Sequence, residues 1–194
     1  MLGMWDVRMI PFPDKKYKII YADPPWHFND RVDTRGVECK YTTLETEQIK
    51  NLPIHQISDD NCVLFLWVVY PMLQEGLDVI KAWGFNYKTL GFTWVKKFTT
   101  GRYFIGMGNW TRSNTESVLI GVKGKPKRID AGINQIIDSV PQEHSRKPNI
   151  VRERIIQLCG DLPRMELFAR TKVHGWDVWG NDEKLQAQPL EAFL

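Results

Sequence analysis

The sequence predicts an open α/β sheet with helices on both faces, on three observations. Short β-rich runs alternate with helical stretches along the chain, the pattern of a sheet wrapped by its own crossover helices. The run Cys62 to Val69 (CVLFLWVV) is continuously apolar, as expected of a strand covered on both faces. The β-rich run Tyr17 to Ala22 (YKIIYA) stops at Asp23-Pro24-Pro25, because proline has no N–H with which to continue a central ladder.

Taken in order, Tyr17 to Ala22 is the first strand. His27 to Thr43 is polar and weakly periodic, a long loop of the kind that is often functional in compact domains. Thr46 to Asn51 reads as a short helix with Thr46 as its cap. After the apolar strand, Pro71 opens a helix to Trp83 with an apolar stripe of Met72, Leu73, Leu77, Val79 and Ile80, and Gly84 ends it. Strands are expected at Tyr87 to Val95, Glu116 to Val122 and Met165 to Ala169. A helix is expected over Ile150 to Cys159, between Pro148 and Gly160. No repeat, low-complexity block or linker divides the chain, and 194 residues suit one domain spanning 1–194. Such sheets bind ligands at the carboxyl ends of their strands. Asp23, Arg170 and the loop after Arg170 are expected there.

Composition narrows the function classes. Apolar residues at 43% and charged residues at 25% are ordinary for a globular domain and exclude a disordered or fibrous chain. The most apolar run, Cys62 to Tyr70, is about half a membrane span. The opening MLGMWDVRMI lacks the long apolar stretch of a signal peptide. A soluble, cytoplasmic protein without membrane contact is therefore expected. Cys39, Cys62 and Cys159 are scattered and match no CxxC or Cys/His metal spacing, so they read as reduced thiols. His27, His55 and His144 match no metal or triad pattern, and no metal is expected. A net charge of +3 is too small to prove a polyanion partner. Eight Trp keep one in play, since indoles stack on bases as well as fill cores.

The residues that carry chemistry are Asp23-Pro24-Pro25-Trp26. A specified string of four occurs by chance in a chain this long in roughly one sequence per thousand, and this one stands at a strand end. An exocyclic purine amine such as adenine N6 is a poor nucleophile, because its lone pair is delocalised into the ring. Two acceptors holding its two N–H bonds localise that pair and aim it. The Asp23 carboxylate is one acceptor. The Pro24 carbonyl is the other, positioned by the fixed φ of its own ring and the restriction that Pro25 imposes on it. Trp26 offers a flat face to the purine.

Asp23-Pro24-Pro25-Trp26 after a short strand resembles the signature of the MT-A70 family of adenine-N6 methyltransferases. Further blocks are similar and arrive in family order: Tyr41-Thr42-Thr43-Leu44, Phe65 to Val68, Ala82 to Val95, Glu116 to Gly124, His144 to Pro148, Glu166 to Arg170 and Trp176 to Asn181. The resemblance covers about Asp6 to Asn181 and implies a single Rossmann-like domain that uses S-adenosyl-L-methionine, in the permuted β-type motif order. It implies that Lys147 meets the cofactor carboxylate and that Phe168 and Arg170 line the strand end holding its ribose. Asn181 would lie near the ribose or adenine, with Asp6 and Val7 serving the cofactor adenine and Tyr41 lining the target pocket. Leu44 replaces a usual Met. The Thr171 to Gly175 loop lacks the His-Asn pair of the eukaryotic RNA-methylating members, leaving Lys172 and His174 as candidates for the ribose contacts. Gly101 to Asn114 resembles the bacterial and phage-type members.

For the nucleic acid, Lys123-Gly124-Lys125-Pro126-Lys127-Arg128 places four cations in six residues. Arg146, Lys147, Arg152 and Arg154 form a second cluster, and Arg31, Arg35 and Lys40 follow the Asp-Pro-Pro-Trp motif. All are expected around the mouth of the site as phosphate contacts, with Lys123, Lys125 and Arg146 assigned to the substrate. DNA is favoured over RNA by the compact bacterial and phage resemblance. A silent nucleic-acid-binding subunit is disfavoured by the intact acceptor pair. Methylation of a protein amine or amide usually goes with Asn-Pro-Pro-Tyr. Both a homo-oligomer and a hetero-oligomer are compatible with the chain.

Overall fold

The computed structural model describes residues 11–27, 43–106, 108, 110–142 and 146–180. They form a seven-stranded sheet in the order β5-β3-β4-β2-β1-β6-β7. The strands are β1 (Tyr17–Ala22), β2 (Ser58–Val68), β3 (Asn86–Lys96), β4 (Thr115–Lys123), β5 (Ile136–Ser139), β6 (Arg164–Leu167) and β7 (Asp177–Trp179). β4 runs antiparallel to both its neighbours, β2 and β3, and every other pairing is parallel. The helices are α1 (Thr46–Lys50), α2 (Leu73–Ala82) and α3 (Ile150–Cys159).

The continuous apolar run of β2 is explained by parity. Cys62, Leu64, Leu66 and Val68 face one layer, with Ile20 and Ala22 of β1, and are covered by Ile49 of α1 and Val79 and Ile80 of α2. Val63, Phe65 and Trp67 face the other, with Ile19 and Tyr21, and meet Val151, Ile155 and Cys159 of α3. Both faces of the central strands are therefore dry, and hydrophobicity cannot alternate along them. This is the expected α/β architecture with helices on both faces.

The chain leaves β1 toward β2 on one side, while β6, on the other side of β1, leads outward to β7. Connections that diverge in this way open a crevice outside the carboxyl ends of β1 and β6, the usual ligand position in open α/β sheets.

Several elements differ from the sequence reading. Glu45, not Thr46, caps α1, its backbone N–H donating to the Gln48 side-chain carbonyl at 2.9 Å. β2 begins four residues early, at Ser58. Pro71 lies in a 3-10 turn (Tyr70–Met72) before α2, and Leu73 points to solvent rather than joining the stripe. β5 and β7 are strands where none was expected. The loop from His27 to Thr43 lies, apart from its two ends, outside the described residues.

Candidate active site

Asp23 follows the last residue of β1, at the crevice. Lys147, from the segment leading into α3, places its ammonium 2.9 Å from Asp23 Oδ2 and 3.3 Å from Glu116 Oε2. Glu116 comes from the start of β4, and its other oxygen pairs with Lys96 at the end of β3. Asp23, Lys147, Glu116 and Lys96 thus form an alternating row of charges across the strand ends. Burial alone would lower the Lys147 pKa, but the Asp23 and Glu116 carboxylates override it and hold the ammonium above the ordinary lysine range. Burial would raise the Glu116 carboxyl, yet Lys147 and Lys96 hold it below its usual value. Removing one partner from such a row leaves an uncompensated buried charge.

Lys147 has a third partner. Its ammonium lies 5.3 Å from the centroid of the Trp67 ring, within reach of a cation–π attraction. That ring is held by its own N–H, which donates to the Tyr21 hydroxyl at 2.6 Å. Tyr21 is fully buried, which pushes its phenol well above the ordinary range and keeps it neutral. The Arg152 guanidinium lies over its ring at 5.5 Å and grips Glu166 bidentately at 2.6 and 2.7 Å. Burial raises the Glu166 carboxyl, and Arg152 only partly opposes it.

The loop after Asp23 is pinned from three sides. The Trp26 backbone N–H donates to the Pro24 carbonyl at 2.9 Å, a tight turn over Pro25 that leaves that carbonyl one lone pair. The Leu44 N–H donates to the Pro25 carbonyl, and the His27 N–H to the Leu44 carbonyl, at 2.8 and 3.1 Å. The Trp26 indole N–H donates to the Trp67 carbonyl at 3.1 Å, so Trp26 is half-buried and anchored by its edge.

Across the crevice, Phe168 follows β6 with φ 62°, an outlier for a bulky side chain. Its ring is buried against Trp179, 5.6 Å between centroids, and this packing offsets a backbone cost of about 1–3 kcal/mol. Arg170 is exposed just beyond.

The structure therefore brings Asp23, Pro24, Pro25, Trp26, Lys147, Phe168 and Arg170 to one edge of the sheet, with Arg146 exposed beside Lys147. Asp6, Val7, Tyr41 and Asn181 lie outside the described residues, as do Arg31, Arg35 and Lys40. Lys123 and Lys125 do not border this edge. β4 is antiparallel to β2, with Val68 opposite Ser117 and Cys62 opposite Lys123, so Lys123 is six residues, about 20 Å, toward the far end. There Lys123 bonds Ser58 Oγ at 3.0 Å, and the backbone N–H of Lys125 bonds Asn61. The second basic cluster is also dispersed, because Arg152 is held by Glu166 and Arg154 by the carbonyls of Asn134 and Ile136. Glu166 sits on the interior strand β6 in a buried pair with Arg152. His174 lines a polar cleft of about 360 Å³ at the opposite end of the sheet, with Lys15, Arg164 and Asp177. Against its burial, the Asp177 carboxyl there is held below its usual range chiefly by hydrogen bonds from Lys15 and Tyr17, with a smaller contribution from Lys172, and His174 belongs to that cleft rather than to the crevice. Glu116 and Lys96 belong to the site through the strand ends that meet there, and no sequence motif marks their role.

The MT-A70 family profile matches residues 17–182. The chain belongs to the MT-A70 family. The Type II methyltransferase M.MunI of a Mycoplasma species is 33% identical over 189 residues, 87% of this chain and 78% of that protein. The catalytic subunit of the human N(6)-adenosine-methyltransferase is 30% identical over 162 residues, 80% of this chain but 26% of that protein. The human N(6)-adenine-specific methyltransferase METTL4 is 30% identical over 196 residues, 93% of this chain and 40% of that protein. This MT-A70 chain thus spans most of the bacterial relative and a minor part of the human ones. The family expected from the motif order is the family found, and with it the methyltransferase class.

Proposed function

We propose that the chain transfers the methyl group of S-adenosyl-L-methionine to N6 of adenine in DNA. The observation that carries this reading is the Asp23–Lys147 pair, at the mouth of the β1–β6 crevice and beside the two prolines. The methionine end of the cofactor carries an amino and a carboxylate group, and a carboxylate beside an ammonium complements both. The donor set fits. Lys147 and Asp23 would hold that end, and Phe168 and Arg170 would border the ribose. Asp6, Val7 and Asn181 are assigned to the cofactor by family resemblance.

When bound, the cofactor supplies an electrophilic methyl on sulfonium sulfur. Everything else falls to the chain. Asp23 Oδ2 is engaged by Lys147, leaving Oδ1 to accept one N–H of the target amine, and the remaining lone pair of the Pro24 carbonyl accepts the other. Orientation of this kind is the protein's main lever where the cofactor carries the hard chemistry. Once nitrogen has gained the methyl it must lose a proton, and Asp23 is the acceptor within reach. Lys147 cannot be, because its neighbours keep it protonated. Trp26 and Tyr41 are assigned to the adenine.

DNA is favoured because the chain spans 78% of a type II methyltransferase. The 30% identity to an N(6)-adenosine-methyltransferase supports RNA as the second reading. A target base must leave its stack to reach such a crevice, so single strands are included in the test. None of the helices described is long and apolar enough to cross a membrane; the cytoplasm of a bacterial or phage-infected cell is the location this reading proposes.

The test is methyl transfer from labelled cofactor to single-stranded DNA, duplex DNA and RNA in parallel, with Asp23→Ala as the blank. N6-methyladenine in the DNA pools is expected. Product in RNA alone overturns the substrate, and no product in any pool overturns the reading.

A further inference from the structure

Between β3 and β4 the chain makes an excursion, residues 97–114, whose stems are residues of the site. Lys96 at one stem pairs with Glu116 near the other, and Glu116 contacts Lys147. The excursion therefore stands on the same edge of the sheet as Asp23. It extends the ladder outward: the Phe98 N–H donates to the Arg102 carbonyl, the Phe104 N–H to Lys96, and the Gly106 N–H to Ser113, each at 2.8 Å.

Its composition is unlike the rest of the chain. Residues 97–114 contain Lys97, Arg102 and Arg112 and no Asp or Glu, in a protein that is 25% charged with nearly balanced signs. They also expose aromatic surface. Phe98 is 46% exposed, Tyr103 58% and Trp110 99%. A fully solvated indole has nothing to gain from the fold, and large exposed apolar groups in clusters mark interaction surfaces. Lys97 is held by Asp138 at 2.7 Å and lies over the Tyr103 ring, so it is Arg102 and Arg112, interleaved with exposed rings, that match a polyanion which also offers flat faces.

We infer that the 97–114 excursion is the nucleic-acid-reading surface of this enzyme. Arg102 and Arg112 meet phosphates, and Trp110 stacks on a base next to the target adenine. This replaces the role expected of Lys123 and Lys125, which lie at the far end of the sheet, and it rests on the proposed function.

The experiment measures binding of a fluorescent single-stranded oligonucleotide by anisotropy, separately from methyl transfer. Trp110→Ala is expected to weaken binding roughly 5- to 150-fold, the range for losing one base stack, with cofactor affinity and thermal midpoint unchanged. Arg102→Ala with Arg112→Ala is expected to lower the slope of log K against log salt by about 1.4 on this single-stranded probe. Oligonucleotide affinity unchanged in Trp110→Ala overturns the inference, and so does a loss of self-association with unchanged affinity, which would make the surface a protein interface. Wild-type methyl transfer in the same preparations keeps such a failure distinct from failure of the proposed function.

Discussion

Lys147 lies between two carboxylates, and these respond differently to removal. Asp23→Ala should abolish transfer while cofactor binding is partly retained, because the carboxylate chiefly orients the amine; a mutant with normal turnover sinks the mechanism. Glu116→Gln should act through Lys147. It removes one of the two carboxylates that raise the Lys147 pKa against its own desolvation, so the ammonium should lose its proton at lower pH than in the wild type. Cofactor affinity followed by calorimetry against pH should then fall away earlier on the alkaline side. A limb that does not move would show that Glu116 does not tune Lys147. Arg170→Ala should raise the cofactor Kd, and an unchanged value removes Arg170 from the site.

At the scale of elements, packing at the back of the site is tight enough to test with one carbon atom. Gly76 lies in α2, and a Cβ there would come 2.5 Å from Val68 Cγ1, a buried, branched side chain near the end of β2 that cannot swing away. Gly to Ala in a helix ordinarily gains about 1 kcal/mol, whereas overpacking a core costs about 1–3 kcal/mol. The clash should win, so Gly76→Ala is expected to lower the urea midpoint at unchanged slope; a raised midpoint would show that β2 yields there. The elements that sequence made legible were those with long, unambiguous patterns. Parity explains β2, and Pro148 with Gly160 bounds α3 to the residue. The three- and four-residue strands β7 and β5 were not legible, because their pairing is supplied by β6 and β3 rather than by any pattern of their own. Strand direction was hidden as well. Had β4 run parallel to β2, Lys123 would stand beside Asp23. It runs antiparallel, which delivers Glu116 to the site and carries Lys123 away. The motif residues were legible because their chemistry is local, whereas the partners of Lys147 depend on which strand ends meet.

Across the whole molecule, the paired charges and the two apolar layers set conditions for stability that can be read out chemically. The Glu116 pairing is present above the ordinary carboxylate range and is lost as pH falls through its lowered folded value. The Lys147 pairing is present below the ordinary lysine range and is lost as pH rises through its raised one. Between those limits, two thiols report on the layers separately. Cys62 is buried under α1 and α2 with its pKa pushed up to about 12, and Cys159 under α3 with its pKa pushed up to about 11, in both cases chiefly by burial. At pH 8 a thiol near 11 is only about one part per thousand thiolate, against about a quarter for an unfolded cysteine near 8.5. Alkylation of the native protein should therefore be negligible at both positions, and unfolding should expose both together, since the two layers share the strands β1 and β2. Iodoacetamide pulses at pH 8 across a urea series, mapped by peptide mass, should give one midpoint for Cys62 and Cys159 that coincides with loss of the fold. If Cys159 reacts at lower urea, α3 lifts from its face before the sheet opens, and the layer bearing Trp67 and Lys147 is the weaker of the two.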